Sequence, residues 1–161
     1  MSKTLGEVIE KQLLSSNDEI CFPKIADIIS QLFTDKNGIS MMKVGYRINE
    51  DYQILCLNLE KNMDIEIWKE SGYYNWVSND GKTIHRYNAL VKEKKRKKDV
   101  LKLIEKPQKF LVFAQYIEKS KKSQYKFIGV YEYSHSEDIK HHNMIFMKTS
   151  DEFQFNFKNA N

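Results

Sequence analysis

Between positions 82 and 126 the chain carries 15 Lys or Arg residues against 4 Asp or Glu. The densest stretch is Lys94-Lys95-Arg96-Lys97-Lys98. Lys82 and Arg86 precede it, and Lys119, Lys121 and Lys122 follow on a separate turn. Like charges gathered this closely repel one another across a folded surface, and neutralising phosphates is the commonest use of such a face. A solvated lysine-rich helix explains the central run equally well. The second basic segment tips the balance towards a polyanion-binding surface. Just ahead of it lie Trp68, Tyr73, Tyr74 and Trp76. Such rings stack on bases, cage an extruded base or wedge between base steps. They also serve as core residues, and at least two of the four are expected there. Arginine matches the acceptor pair of guanine, and asparagine the donor and acceptor of adenine. The expected DNA contacts are therefore Lys82, Arg86, Lys94, Lys95, Arg96, Lys97, Lys98, Lys119, Lys121 and Lys122, with Asn75, Tyr74 and Trp76 near the bases.

Catalytic motifs are missing from the sequence. It contains no glycine-rich phosphate loop, no zinc-protease helix motif and no nucleophile elbow. Cys21 and Cys56 are too few for a disulfide framework or a four-cysteine zinc site, and read as core thiols in a reduced setting. His135, His141 and His142 lie near Glu137 and Asp138, and imidazole with carboxylate can ligate a metal. Neighbours on a strand face opposite ways, however, so a polar loop is the favoured reading. The acidic-x-Lys pairs at Asp80 and Asp138 fall in turns rather than on strands. The expectation is a non-enzymatic chain with no cofactor and no metal. A metal-dependent nuclease built on the three histidines is the third-ranked reading.

The elements that must position these residues follow from periodicity. Leu5, Val8, Ile9 and Leu13 space a helix over 4–14, and Ile25, Ile28, Ile29, Leu32 and Phe33 stripe a second one after Pro23. The period then becomes two, predicting a meander of strands over 42–48, 52–59 and 63–69. Asn79-Asp80-Gly81 predicts a hairpin turn between strands near 73–77 and 83–87. A basic helix is expected over 88–106, ended by Pro107. Strands over 110–117 and 125–133 form the clearest hairpin, and two short strands follow at 144–148 and 153–157. The inventory predicts an α+β fold: mainly antiparallel β, a curled sheet or open pseudo-barrel with about three flanking helices. With 161 residues, 41% of them apolar, one domain is expected, helical over 1–38 and β-rich over 39–161. Residues 1–81 hold 8 basic against 13 acidic side chains and residues 82–161 hold 18 against 9, so the positive charge belongs to the second half. No signal-like segment and no apolar run of membrane-spanning length occurs, and a cytoplasmic location is expected.

The hairpin Phe110-Leu111-Val112-Phe113 then Tyr125-Lys126-Phe127-Ile128-Gly129-Val130-Tyr131 resembles a pattern of prokaryotic DNA-reading pseudo-barrels. A hydrophobic strand is followed there by an aromatic-x-aromatic-Leu/Ile-Gly strand. Such modules are the N-terminal specificity domains of McrB-type and LlaJI-type restriction systems, with similar barrels in EcoRII-type endonucleases and plant transcription factors. The resemblance covers roughly residues 72–148. It implies a duplex-DNA recognition domain, for methylated or unmodified targets, working with other restriction-system subunits that hydrolyse nucleotide and cleave. It carries over no catalytic residue. The competing reading from another class is a protein-interaction or inhibitor module whose basic face meets an acidic partner.

Overall fold

Phe110 to Ala114 are all apolar because the strand that carries them is covered on both sides. In the computed structural model, which describes residues 3–34, 47–48, 51–59, 72–116 and 124–155, this strand is β6 (Lys109–Tyr116). Leu111 and Phe113 point into one core with Val8, Phe22, Ile28 and Phe33. Phe110, Val112 and Ala114 point into another with Leu57, Ile84, Tyr131 and Phe146. Alternation therefore places two apolar sets on opposite faces of one strand.

The main sheet is seven-stranded. Its path runs from β3 (Tyr52–Leu59) through β6, β7 (Tyr125–Ser136), β8 (Asn143–Ser150) and β5 (Thr83–Asn88) to β4 (Tyr73–Val77), with β2 (Cys21–Phe22) paired to β7. The first core lies under α1 (Leu5–Lys11) and α2 (Ile25–Leu32). A separate two-stranded ribbon joins β1 (Leu13–Ser15) to β9 (Glu152–Gln154). The long helix α3 (Glu93–Glu105) sends Leu103 against the second core.

β7 accounts for the curl. Its pairing shifts opposite Val112/Phe113, between Val130 and Tyr131, and between Tyr133 and His135. Each irregularity bends the strand and increases its twist. Gly129 sits in the first of these at φ 139, where a Cβ would stand 2.8 Å from Lys148 Cε and 3.1 Å from the Ser150 carbonyl oxygen. The two edge strands approach without pairing: Asn75 Nδ2 donates to the Asn58 carbonyl at 3.5 Å, and no ladder joins β3 to β4. The result is the expected α+β architecture, a curled sheet left open and flanked, among the described residues, by three helices.

Several boundaries differ from expectation for local reasons. The first helix stops at Lys11 because Gln12 adopts the left-handed region at φ 53, which frees Leu13 to Ser15 to pair with β9. Cys21, expected as a core thiol, is exposed on β2, because alternation turns Phe22 into the core instead. The basic helix begins at Glu93. Before it, Asn88 Oδ1 accepts from the Leu90 and Val91 backbone N–H groups and forms a turn, and Leu90 is left largely exposed. β3 pairs with β6 in parallel, an exception to the antiparallel expectation. Its run Ile54-Leu55-Cys56-Leu57 is apolar on both faces, as a parallel strand covered from both sides requires. The expected strand at 63–69, most of that at 42–48, Trp68, the end of the last strand, and Lys119, Lys121 and Lys122 lie outside the described residues. Among the described residues no helix is long and apolar enough to cross a membrane.

Candidate nucleic-acid interface

Cross-strand pairing fixes the site. Asn75 stands opposite Arg86, Tyr74 opposite Tyr87, and Trp76 opposite His85. Alternation puts Asn75 and Arg86 on one face of the β4–β5 ladder, with Tyr74, Trp76, His85 and Tyr87 on the other. Between α3 and the end of this ladder a cleft of about 250 Å³ remains, lined among others by Tyr73, Arg86, Tyr87, Lys95, His141 and Phe146. Its walls combine aromatic rings with Arg86, Arg96 and Lys95, and with the Asp99 carboxylate that pairs with Lys95. A larger recess of about 450 Å³ beside the end of α3 mixes Arg47, Lys102 and Lys106 with Asp99 and Glu105. Opposite charges alternate there, and no aromatic ring lines it.

The expected contact residues separate into groups. Lys94, Lys95, Lys97 and Lys98 are exposed along the outer side of α3. Lys95 pairs with Asp99 and Lys97 with Glu93, each at 3.0 Å, whereas Lys94 and Lys98 have no ion pair among the described residues. The Lys97 ammonium beside Glu93 holds that carboxyl below the usual range. Lys82 is exposed on the β4–β5 turn. Asp80 ties this turn by accepting from Ser78 Oγ at 2.7 Å and from the Lys82 backbone N–H at 2.9 Å. Lys82 and α3 flank opposite ends of β5, roughly 17 Å apart by strand rise. Among the described residues, Lys82 and the α3 lysines therefore form two separate patches.

Three expected contacts are turned into the protein. Arg96 is 7% exposed. Its Nε donates to the Lys140 carbonyl at 3.0 Å and its Nη1 to the Val91 carbonyl, so the guanidinium satisfies backbone groups instead of phosphates. The signal was its spacing, since Arg96, Val100 and Leu103 share the inward stripe of α3. Tyr74 is 4% exposed and stacks on Tyr87 with centroids 5.1 Å apart. Burial, then the Glu137 and Tyr87 charges, push its hydroxyl above the ordinary value. Asn75 is 1% exposed and bonds only within the fold. Trp76 is half-buried, tilted over the His85 ring at 4.4 Å. Tyr73 and Tyr87, absent from the expected set, line the cleft instead. Pairing with Asn88 across the β4–β5 ladder is what brings Tyr73 there.

All four histidines lie around the β7–β8 turn and the adjoining face of β5. His141, at φ 59, shares a hydrogen bond with Ser136 Oγ at 2.8 Å, and His135 one with Ser134 Oγ at 2.9 Å. His142 Nδ1 meets Asp138 Oδ2 at 2.9 Å. Burial alone would raise the Asp138 carboxyl. The Asn143 and His142 backbone N–H groups and the His142 ring outweigh it and hold the carboxyl below its usual value. The rings thus bond to separate oxygens, and among the described residues no three His, Cys, Asp or Glu side chains gather as a metal site.

Burial depresses the basicity of His85, and nearby His135 adds to this. Glu137, 3.9 Å away, opposes it, leaving the imidazole below its ordinary value of 6.5. The folded state thus binds this proton less readily than the unfolded chain. Its contribution to stability is complete above pH 6.5 and is lost as the pH falls through the folded value. A proton NMR titration of the His85 ring is expected to give a midpoint below 6.5. His85→Gln is expected to lose less thermal stability than the wild type between pH 7 and 5.

A curled, open sheet carries an aromatic-lined cleft holding Arg86 and Lys95, with the lysine-rich helix α3 beside it. The family model described as SRA, the SET and RING associated domain, matches residues 7–155, and the chain belongs to this family of DNA-binding domains. The match bears out the DNA-recognition domain that the resemblance implied and does not show the McrB-type or LlaJI-type subtype. The hairpin motif that carried the resemblance encodes two-sided burial and a bulge at Ile128-Gly129 in this sheet. No curated protein matches in sequence. Among solved structures, the fold is similar to that of the 5-hydroxymethylcytosine-specific restriction enzyme AbaSI, at a TM-score of 0.65 and 22% identity. The match covers 94% of this chain and 45% of that one, so the chain spans less than half of that enzyme's length.

Proposed function

We propose that this domain is the specificity module of a modification-dependent restriction system, binding duplex DNA that carries a modified cytosine. Lys94, Lys95, Lys97 and Lys98 contact phosphates from α3, and Lys82 contacts them from the far patch. The modified base leaves the stack and enters the cleft between α3 and the β4–β5–β8 face, where Tyr73 and Tyr87 supply ring surfaces. Tyr74, Asn75 and Arg96 hold this arrangement from within. Cleavage belongs to another domain or subunit.

The observation that carries this reading is the coincidence of the family match over 7–155 with a recess whose walls join aromatic rings to Arg86 and Lys95. The similarity to AbaSI supports a 5-substituted cytosine as the target class. Selection from random duplex pools tests it, using unmodified, methylated and hydroxymethylated libraries in parallel. The expected result is enrichment around a modified cytosine. Equal recovery from all three libraries would overturn the proposed target, and no recovery from any would overturn DNA binding itself.

A further inference from the structure

Arg86 enters the cleft with one side of its guanidinium fastened and the other open. Its Nε donates to Asn75 Oδ1 at 3.2 Å. Asn75 is 1% exposed, and its Nδ2 donates to Tyr73 Oη at 2.9 Å and to the Asn58 carbonyl at 3.5 Å. Every polar atom of that amide is occupied, so the acceptor that aims Arg86 cannot swing away. The Arg86 Cζ lies 6.0 Å from the centre of the Phe146 ring. Among the described residues the two terminal amino groups make no hydrogen bond. Arg96 borders the same cleft, but its guanidinium is engaged by the Val91 and Lys140 carbonyls. A recessed donor fork beside Phe110, Met144 and Phe146 is costly to desolvate unless a ligand supplies acceptors.

We propose, resting on the reading of the cleft as a base pocket, that Arg86 reads the adjacent N3 and O2 acceptors of an extruded cytosine and that Asn75 is its positioning residue. The Watson–Crick edge of cytosine presents these two acceptors side by side, and two N–H groups of one guanidinium meet them in a plane. Thymine places an N3–H at the same point. A donor then faces a donor, and one arm of the guanidinium is left unpaired in the cleft, the kind of mismatch that discriminates most strongly. The C5 substituent lies on the other side of the pyrimidine ring. Arg86 therefore selects cytosine over thymine, and different groups sense the modification.

The test measures equilibrium binding to duplexes that differ at one position, which holds modified cytosine, unmodified cytosine, thymine or an abasic site. The wild type is expected to favour cytosine over thymine by about tenfold or more. Arg86→Lys keeps the charge but lacks the planar fork. It is expected to lose most of that preference while keeping its affinity for the abasic duplex and the ratio of modified to unmodified cytosine. Asn75→Leu is expected to reproduce this loss with Arg86 present. A wild type that binds these duplexes but treats cytosine and thymine alike overturns the inference without any variant, and leaves the DNA-binding role standing. Arg86→Lys that retains the preference, or that weakens the abasic duplex as much as the cytosine one, also overturns it. Absence of DNA binding by the wild type removes the proposed function along with it.

Discussion

Affinity of the wild-type domain for duplex DNA is expected to fall about a thousandfold between 50 and 200 mM salt, the behaviour of about six phosphate contacts. Lys94→Ala combined with Lys98→Ala is expected to reduce the slope of log affinity against log salt by about 2. These two lysines are the sensitive pair because neither is held by a carboxylate among the described residues. Lys95 and Lys97 are already engaged by Asp99 and Glu93. The lysines are exposed and carry no sequence information, so the weakening is expected to be even across DNA sequences. Fluorescence anisotropy over a salt series measures both quantities. An unchanged slope in the double variant would remove α3 from the interface.

Arg96→Ala is expected to destabilise the fold by about 2–4 kcal/mol, against a negligible change for its neighbour Lys95→Ala. The guanidinium joins the turn before α3 to the β7–β8 loop through the Val91 and Lys140 carbonyls. Its removal leaves both acceptors unsatisfied beneath α3 and opens a gap beside Val100. Urea unfolding followed by circular dichroism gives the comparison. If Arg96→Ala were as stable as wild type and lost DNA affinity instead, Arg96 would be returned to the phosphate contacts.

The sequence showed the fold where periodicity was strong. The apolar runs of β6 and β7 and the Asn79-Asp80-Gly81 turn announce their strands, and the stripe from Ile25 to Phe33 announces α2. It did not show that β3 pairs in parallel with β6, because the partner lies 57 residues away and apolar runs do not specify direction. Nor did it show where α3 begins, since the Asn88 side chain diverts the backbone into a turn before the basic run. Within the site, Arg86 was recognisable as a strand residue beside aromatics. Asn75 and Tyr74 looked equally available, and only tertiary packing against the two faces of β4 buries both. Arg96 could be singled out from the lysines around it by its register with Val100 and Leu103. Counting charge alone concealed that register, and it also merged Lys82 with α3 although a whole strand separates them.

DNA is expected to lie across α3 and the adjoining cleft. Chemical-shift mapping of the labelled domain, titrated with a duplex containing 5-hydroxymethylcytosine at low salt, tests this most directly. The expected result is a contiguous set of perturbed resonances at Tyr73, Arg86, Tyr87, Lys94, Lys95, Lys98 and His141. Perturbations confined to α1, α2 and the β1–β9 ribbon would contradict it.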